Sequence, residues 1–296
     1  AVCLASPLRD VYKRQDQWWS ARETAAQRER PGRTSLSPSR IESLGTCPMQ
    51  AVLSDAAEEK PEDIKLPTGN LAHVYYEALG RGVDRELARA EVLEAYEEIL
   101  TTPQWKRARE IAEFERILDN TERFHAKYAA DGQAAGFEVS IDVEVADGIR
   151  IRGRADELQR VGDKIRILDL KTGYKMPNND SMIDHPQLKA YQLALRHGQI
   201  TESPTQDGDV IVVQGDGVPI EDATLMYAGA KTKKLGERTQ VALDDEKLDE
   251  FAQQLPALLE HTRSPQLIAI KGKNCDFCSF KTSCPVQPEG QLTTND

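Results

Sequence analysis

The chain has 296 residues, 39% of them hydrophobic and 29% charged, which is enough for one large domain or two small ones with a packed core. Its formal net charge of −11 excludes a generally basic, polyanion-binding surface, so any nucleic-acid contact has to be a local basic groove in an acidic whole. No apolar run reaches the roughly eighteen residues of a membrane span, and no basic segment followed by an apolar one opens the chain as a secretion signal, so a cytoplasmic protein is expected.

Residues 1–36 read as a poorly ordered leader. Residues 1–15 have no period and are expected not to be native coding sequence, and the polar part after them, with its Trp18-Trp19 pair, reads as the tail of something larger. Structure is expected from Ser37. There a cap serine, Pro38 suited to the first helical position and a Ser39…Glu42 capping-box spacing open a helix through Ile41 and Leu44 towards Cys47-Pro48. An acidic loop is expected at 54–65. A second helix starts near Thr68-Gly69 and carries Leu71, His73, Val74 and Ala78. Longer helices are expected at 84–100 and 103–130, the latter with Trp105, Ala108, Ile111, Leu118, Phe124 and Tyr128 at helical spacing as packing residues.

The texture changes at Gly136. Phe137, Val139, Ile141, Val143 and Val145 alternate with polar residues, Asp147-Gly148 is a hairpin signal, and Ile149, Ile151, Gly153 and Ala155 follow. A second tight turn at Val161-Gly162-Asp163 leads into Ile165, Ile167, Asp169 and Lys171 on one strand face. Three strands joined by tight turns predict an antiparallel meander. Helix spacing returns at 183–197, with Pro186 in the first turn. Strands are expected at 209–214, 223–228 and 238–243, a helix at 244–261, and a cysteine-rich tail from Lys271. No internal repeat occurs. The phosphate-cradling pattern G-x-x-x-x-G-K-S/T is also missing, so the chain is not itself a nucleotide-driven motor.

Two constellations carry chemistry. Asp169 and Lys171 point the same way, and the hairpin brings Asp156 towards them. Two acids offer hard oxygen ligands for Mg²⁺, and a lysine beside them can polarise water or a phosphoryl oxygen. By itself the D-x-K pair is equally a solvated surface pair. The second constellation is Cys275-x2-Cys278-x5-Cys284, with Cys47 as a fourth thiol. Thiolates suit zinc or an iron–sulfur cluster, and spacing alone does not separate them. Cys3 has no assigned role. Arg150, Arg152 and Arg154 alternate along the strand of Asp156 and could frame an anionic substrate. Lys231, Lys233, Lys234 and Arg238 form a basic strip that could follow a DNA backbone, as could Lys271, Lys273 and Lys281 near the cysteines; a solvated hairpin and tail is the plainer reading.

Four stretches in this order, His73 in GNLAHVYYEAL, Asp156 in GRADEL, Asp169-Leu170-Lys171 in ILDLKTG, and Gln187 and Tyr191 in HPQLKAYQLAL, resemble the PD-(D/E)xK nuclease superfamily in its RecB-like branch. The resemblance covers about residues 37–285. It implies an α/β fold: a restriction-endonuclease-like core with the three-stranded meander flanked by helices, an N-terminal helical insertion and a C-terminal cysteine-rich staple. The nuclease domain would span 37–288, with a helical part at 67–130, a catalytic core at 136–262, the staple at 271–288 joined by Cys47, and a tail at 289–296. Asp156, Asp169, Lys171, Gln187 and Tyr191 take catalytic positions. His73, Asp156, Asp169 and the Leu170 backbone carbonyl would hold Mg²⁺ or Mn²⁺, with Glu138 either an added acid for the metal or a solvent-facing strand residue. His73 could equally be a satisfied core histidine, and Gln187 and Tyr191 plain helix residues.

Within that branch, SPSRIE…TCP and the cysteine tail look most like the C-terminal nuclease domain of AddAB/AdnAB-type helicase–nucleases. That likeness implies a 4Fe–4S cluster rather than Zn²⁺ and an exonuclease acting on DNA, in single strands fed by a fused or upstream helicase. It also implies a second helicase–nuclease subunit and a role in double-strand-break repair. The alternatives are a free-standing Cas4-like single-strand exonuclease and an inactive cysteine-stapled DNA-binding module.

Overall fold

The computed structural model describes residues 32–56, 65–205 and 208–291. Cys3, the Trp18-Trp19 pair, most of the expected leader and the acidic stretch 57–64 lie outside the described residues. In chain order the elements are β1 (Ser35–Leu36), α1 (Pro38–Thr46), α2 (Pro48–Ala56), α3 (Lys65–Gly80), α4 (Arg85–Ile99) and α5 (Gln104–Asp131). Then come β2 (Gln133–Ala146), β3 (Ile149–Val161), β4 (Lys164–Lys171), α6 (Pro186–Arg196), β5 (Gly198–Glu202), β6 (Val210–Gln214), β7 (Ile220–Tyr227), β8 (Gly236–Val241) and α7 (Asp245–Arg263). Short 3-10 turns and one last helical turn, Pro288–Gln291, carry the cysteine tail. Among the described residues no helix is long and apolar enough to cross a membrane.

The strands form one mixed sheet in the order β5-β6-β2-β3-β4-β7-β8, with β1 added parallel to β3. β2 pairs antiparallel with β3, and β3 with β4. The connecting turns use Gly148 and Gly162 at φ 67° and 64°, a left-handed backbone that glycine adopts without a Cβ clash. Parallel pairing of β4 with β7 and of β2 with β6 converts this antiparallel centre into a mixed sheet.

Helices cover both faces. Ile41 and Leu44 of α1, Leu188 and Leu193 of α6 and Leu255 of α7 pack with Ile165, Ile167 and Leu225 on one side. Ala72 and Tyr76 of α3 and Phe124 and Tyr128 of α5 pack with Leu168, Leu170 and Met226 on the other. β4 therefore feeds both cores from alternate residues, as period-two side chains require. A strand covered on both faces has no wet side, which is why Asp169 on it is only 3% exposed. α4 closes a third cluster, with Tyr96 against Phe114 of α5 and Tyr75 of α3.

Several local expectations are corrected. Ser35 and Leu36 belong to the sheet rather than to the leader, and Leu36 is 1% exposed. Two residues are too short a run to show periodicity. Ser37 caps α1 by accepting from Arg40 N, so the Ser39…Glu42 box does not form. A further helix, α2, opens at Pro48, where a proline in the first turn loses no hydrogen bond, and runs to Ala56, into the start of the expected acidic loop. β5 escaped detection because its sequence, GQITE, buries Gly198 alone and shows no apolar alternation. Trp105 is not core: it is 78% exposed in the first turn of α5, with the Lys106 ammonium 4.9 Å from its ring centroid.

Because Leu36 is fully enclosed against β3 and α1, Leu36→Ala should cost about 2–5 kcal/mol. Urea unfolding followed by circular dichroism measures this, and an unchanged midpoint would remove β1 from the folded unit.

Candidate active site

The site grows from the fork between β3 and β4. Their pairing runs as far as Glu157 opposite Leu168 and then stops. Just beyond, the freed Leu170 N–H donates to Asp156 Oδ2 at 2.5 Å, so a carboxylate replaces the ladder bond that the parting strands lose. Both helical layers reach this point. α3 is anchored by buried Ala72, Tyr75 and Tyr76, and the intervening His73 looks over the end of the sheet. Its Nδ1 lies 3.2 Å from Asp156 Oδ1 and 3.9 Å from Glu138 Oε1.

Glu138 lies between the Phe137–Glu157 and Val139–Ala155 pairs, opposite Asp156. Among the described residues it alone of the non-glycines has a positive φ, 49°. That conformation costs about 1–2 kcal/mol for a residue with a Cβ. It breaks the strand alternation where the carboxylate meets His73. Arg154 Nη1 holds the other oxygen at 3.0 Å. The His73, Glu138 and Asp156 ligand atoms all lie within 4.8 Å of one another, a spacing compatible with one cation, and all three side chains are half-buried.

Asp169 stands beside this group on β4. Its Oδ2 is 2.6 Å from Lys171 Nζ. Its Oδ1 accepts from Gln187 Nε2 at 2.8 Å. The Tyr191 hydroxyl lies 2.8 Å from the Arg154 carbonyl and 3.1 Å from Asp169 Oδ1, one proton facing two acceptors. Gln187 and Tyr191 are four apart on α6 and so share a helix face. That face is buried against β3 and β4, and Gln187 Oε1 has no hydrogen-bond partner.

Electrostatics follow from this packing. Burial pushes the Asp169 carboxyl up, against the pull of Lys171, and Asp156 adds repulsion. Burial also raises Glu138, opposed by Arg154. Burial works against the charge on His73, but Asp156, Asp169 and Glu138 outweigh it and raise its pKa. Lys171 behaves alike: burial opposes its charge and Asp169 overcomes that, so the ammonium is kept. Crowded carboxylates whose pKa values are raised accept a cation readily. The donor set of imidazole and carboxylate suits a divalent cation.

The structure thus brings together His73, Glu138, Asp156, Asp169, Lys171, Gln187 and Tyr191. It adds two neighbours that the sequence did not single out. His185, at the start of α6, is buried, its pKa lowered by that burial, and its Nε2 is 3.7 Å from Glu42 Oε1. Glu42 was legible only as a capping residue, and His185 sits in no spaced pattern. Of the three strand arginines, Arg154 reaches the site, whereas Arg150 and Arg152 both bind Asp142, at 2.7 and 2.6 Å. Arg152 also lines a cavity of about 390 Å³ with Arg33, Arg40, Ser37 and Ser39. Lys231, Lys233 and Lys234 are exposed between β7 and β8, with Lys231 Nζ 3.2 Å from Glu113. Arg238 donates to the carbonyls of Pro177 and Glu237, which fix its guanidinium against the protein.

Away from the fork, Cys47, Cys275, Cys278 and Cys284 line one small cavity of about 30 Å³, and all four are free thiols. A hydrogen bond from Met49 N to Ile268 O, at 2.9 Å, ties the start of α2 to the segment that leads into the tail.

None of the curated proteins compared with the chain matches it. A solved structure, "Crystal structure of SSO0001", is 16% identical, with a TM-score of 0.32 and coverage of 81% of this chain and 95% of that one. The family model described as the PD-(D/E)XK nuclease superfamily matches residues 35–285, a span that opens at β1 and runs through the fork to the last cysteine. On that match the chain belongs to the PD-(D/E)XK nuclease superfamily.

Proposed function

We propose that the chain is a Mg²⁺- or Mn²⁺-dependent exodeoxyribonuclease, the nuclease module of an AddAB/AdnAB-type helicase–nuclease in cytoplasmic double-strand-break repair. The observation that carries the nuclease reading is the buried Asp169 carboxylate, held by Lys171, Gln187 and Tyr191 beside the His73, Glu138 and Asp156 cluster. So many acids at one strand end are stable only with compensating charge. The biological setting rests on the resemblance of the cysteine tail and of the SPSRIE segment, and brings with it single-stranded DNA, a helicase and a second subunit as partners.

His73, Asp156 and Asp169 would hold the metal, with the Leu170 carbonyl and Glu138 as further oxygens. A divalent ion there supplies Lewis acidity towards a phosphodiester and lowers the pKa of water. Lys171 remains an ammonium, so it acts by charge and hydrogen bonding on the water or phosphate oxygen rather than as a base. Gln187 and Tyr191 position Asp169, and Arg154 steadies Glu138.

The donor chemistry of the second cavity fits a metal group held by four thiolates. Four thiolates suit either zinc or an iron–sulfur cluster, and the resemblance of the cysteine tail favours a 4Fe–4S cluster; such a group would add folding energy between α1 and the tail.

Asp169→Ala should abolish divalent-dependent cleavage of single-stranded DNA while binding persists; cleavage at the wild-type rate by the purified variant would sink the site. Gln187→Leu should lower the rate about 10- to 100-fold, as removal of a group that orients a metal ligand does. A rate within twofold of wild type would reduce Gln187 to a packing residue. Anaerobically purified protein should carry iron and absorb visible light, and Cys278→Ser should lose both; a colourless, zinc-loaded protein ends the cluster assignment.

A further inference from the structure

β4 ends at Lys171, and the chain just beyond it carries Tyr174 and Lys175. Tyr174 is 61% exposed and Phe277 is 78% exposed. The Lys175 ammonium lies 5.9 Å from the centroid of the first ring and 5.2 Å from that of the second. One cation thus spans two aromatic rings from segments distant in sequence, and both rings remain open to solvent. The cation–π contacts account for the position of Lys175. They leave unexplained why two large rings, each of which could gain roughly 1.5–3 kcal/mol by burial, are left in water.

Their location supplies a reason. Tyr174 is three residues past Lys171, so its Cα lies within about 11 Å of the lysine's. The link between them is fixed. A Cβ on Gly229 would fall 1.8 Å from the Thr172 carbonyl oxygen, so the backbone after β7 presses directly on the backbone after β4. Phe277 lies between Cys275 and Cys278, two of the thiols that share the small cavity, and the Cys278 N–H closes the turn that bears this ring by donating to the Cys275 carbonyl at 3.2 Å.

We infer that Tyr174, Lys175 and Phe277 form a stacking platform for an unpaired nucleobase of the DNA strand whose phosphate occupies the Asp169–Lys171 site. This rests on the nuclease reading. Aromatic faces stack on any base, and an ammonium between them meets the adjoining phosphate in a chain that is otherwise strongly acidic. A duplex keeps its base faces covered by neighbouring pairs, so the platform selects single strands next to the cleavage site. It also gives the cysteine-bound segment a substrate-facing role, since the cysteines set where Phe277 stands.

The test uses the whole chain, with no divalent ion added, and a single-stranded oligonucleotide that carries 2-aminopurine, whose fluorescence falls on stacking. Saturable quenching is expected with the single strand and not with its duplex. Tyr174→Ala should weaken binding about 5- to 150-fold, the equivalent of the ~1–3 kcal/mol of one stacked base. Tyr174→Phe should bind as wild type. Phe277→Ala should act like Tyr174→Ala with the visible absorption of the protein unchanged. Trp105→Ala, which removes an equally exposed ring with a lysine above it, should change nothing. Binding without quenching, or Tyr174→Ala binding as tightly as wild type, overturns the platform even if DNA is cleaved. Quenching lost on Tyr174→Ala in a protein that never cleaves DNA leaves the platform standing and removes the nuclease reading. An equal loss on Trp105→Ala means that the rings act without specificity and overturns the assignment.

Discussion

Everything at the fork depends on keeping one carboxylate, Asp169, in a place where water cannot reach it. β4 is covered on both faces, so a charge there is sustained only by groups that the fold brings to it. Lys171 comes from the same strand, and Gln187 and Tyr191 from α6. Each of those is itself buried or half-buried, so none can move without exposing another to an unpaired state. Such a network is rigid because each member's alternative is costly. The same rigidity keeps the Asp169 oxygens beside the His73 group.

The two helical layers divide the work. α6 and α1 stand on the face of Asp169, while α3 lies on the opposite face and reaches around the end of the sheet with His73. The fork makes this possible, since continued pairing of β3 and β4 would have closed the opening. Asp156 is the hinge of the arrangement: one oxygen replaces a ladder bond and the other meets the imidazole.

Much of this was legible from residue spacing. Period-two alternation located β2, β3 and β4, and with them Asp156, Asp169 and Lys171 at one end. The i, i+4 relation placed Gln187 and Tyr191 on one helix face. What stayed hidden depends on long-range packing. The left-handed backbone of Glu138 has no local sequence signature, and His185 and Glu42 meet only because α1 crosses α6. The strand arginines show the opposite error. Alternation put Arg150, Arg152 and Arg154 in one row, but Asp142 and Glu144 pair with the first two, and only knowledge of the β2–β3 register reveals that.

Residue 138 carries one more consequence. With φ at 49°, every side chain other than glycine's strains the backbone there. Replacement by glycine would relax the strand and make the fold more robust, yet it would strip a carboxylate from the cluster around His73. At this position selection for a durable fold and selection for a working centre pull in opposite directions. A glycine at this position in a homologue would mark a lineage in which the metal cluster has been relinquished, even where the D-x-K pair still stands.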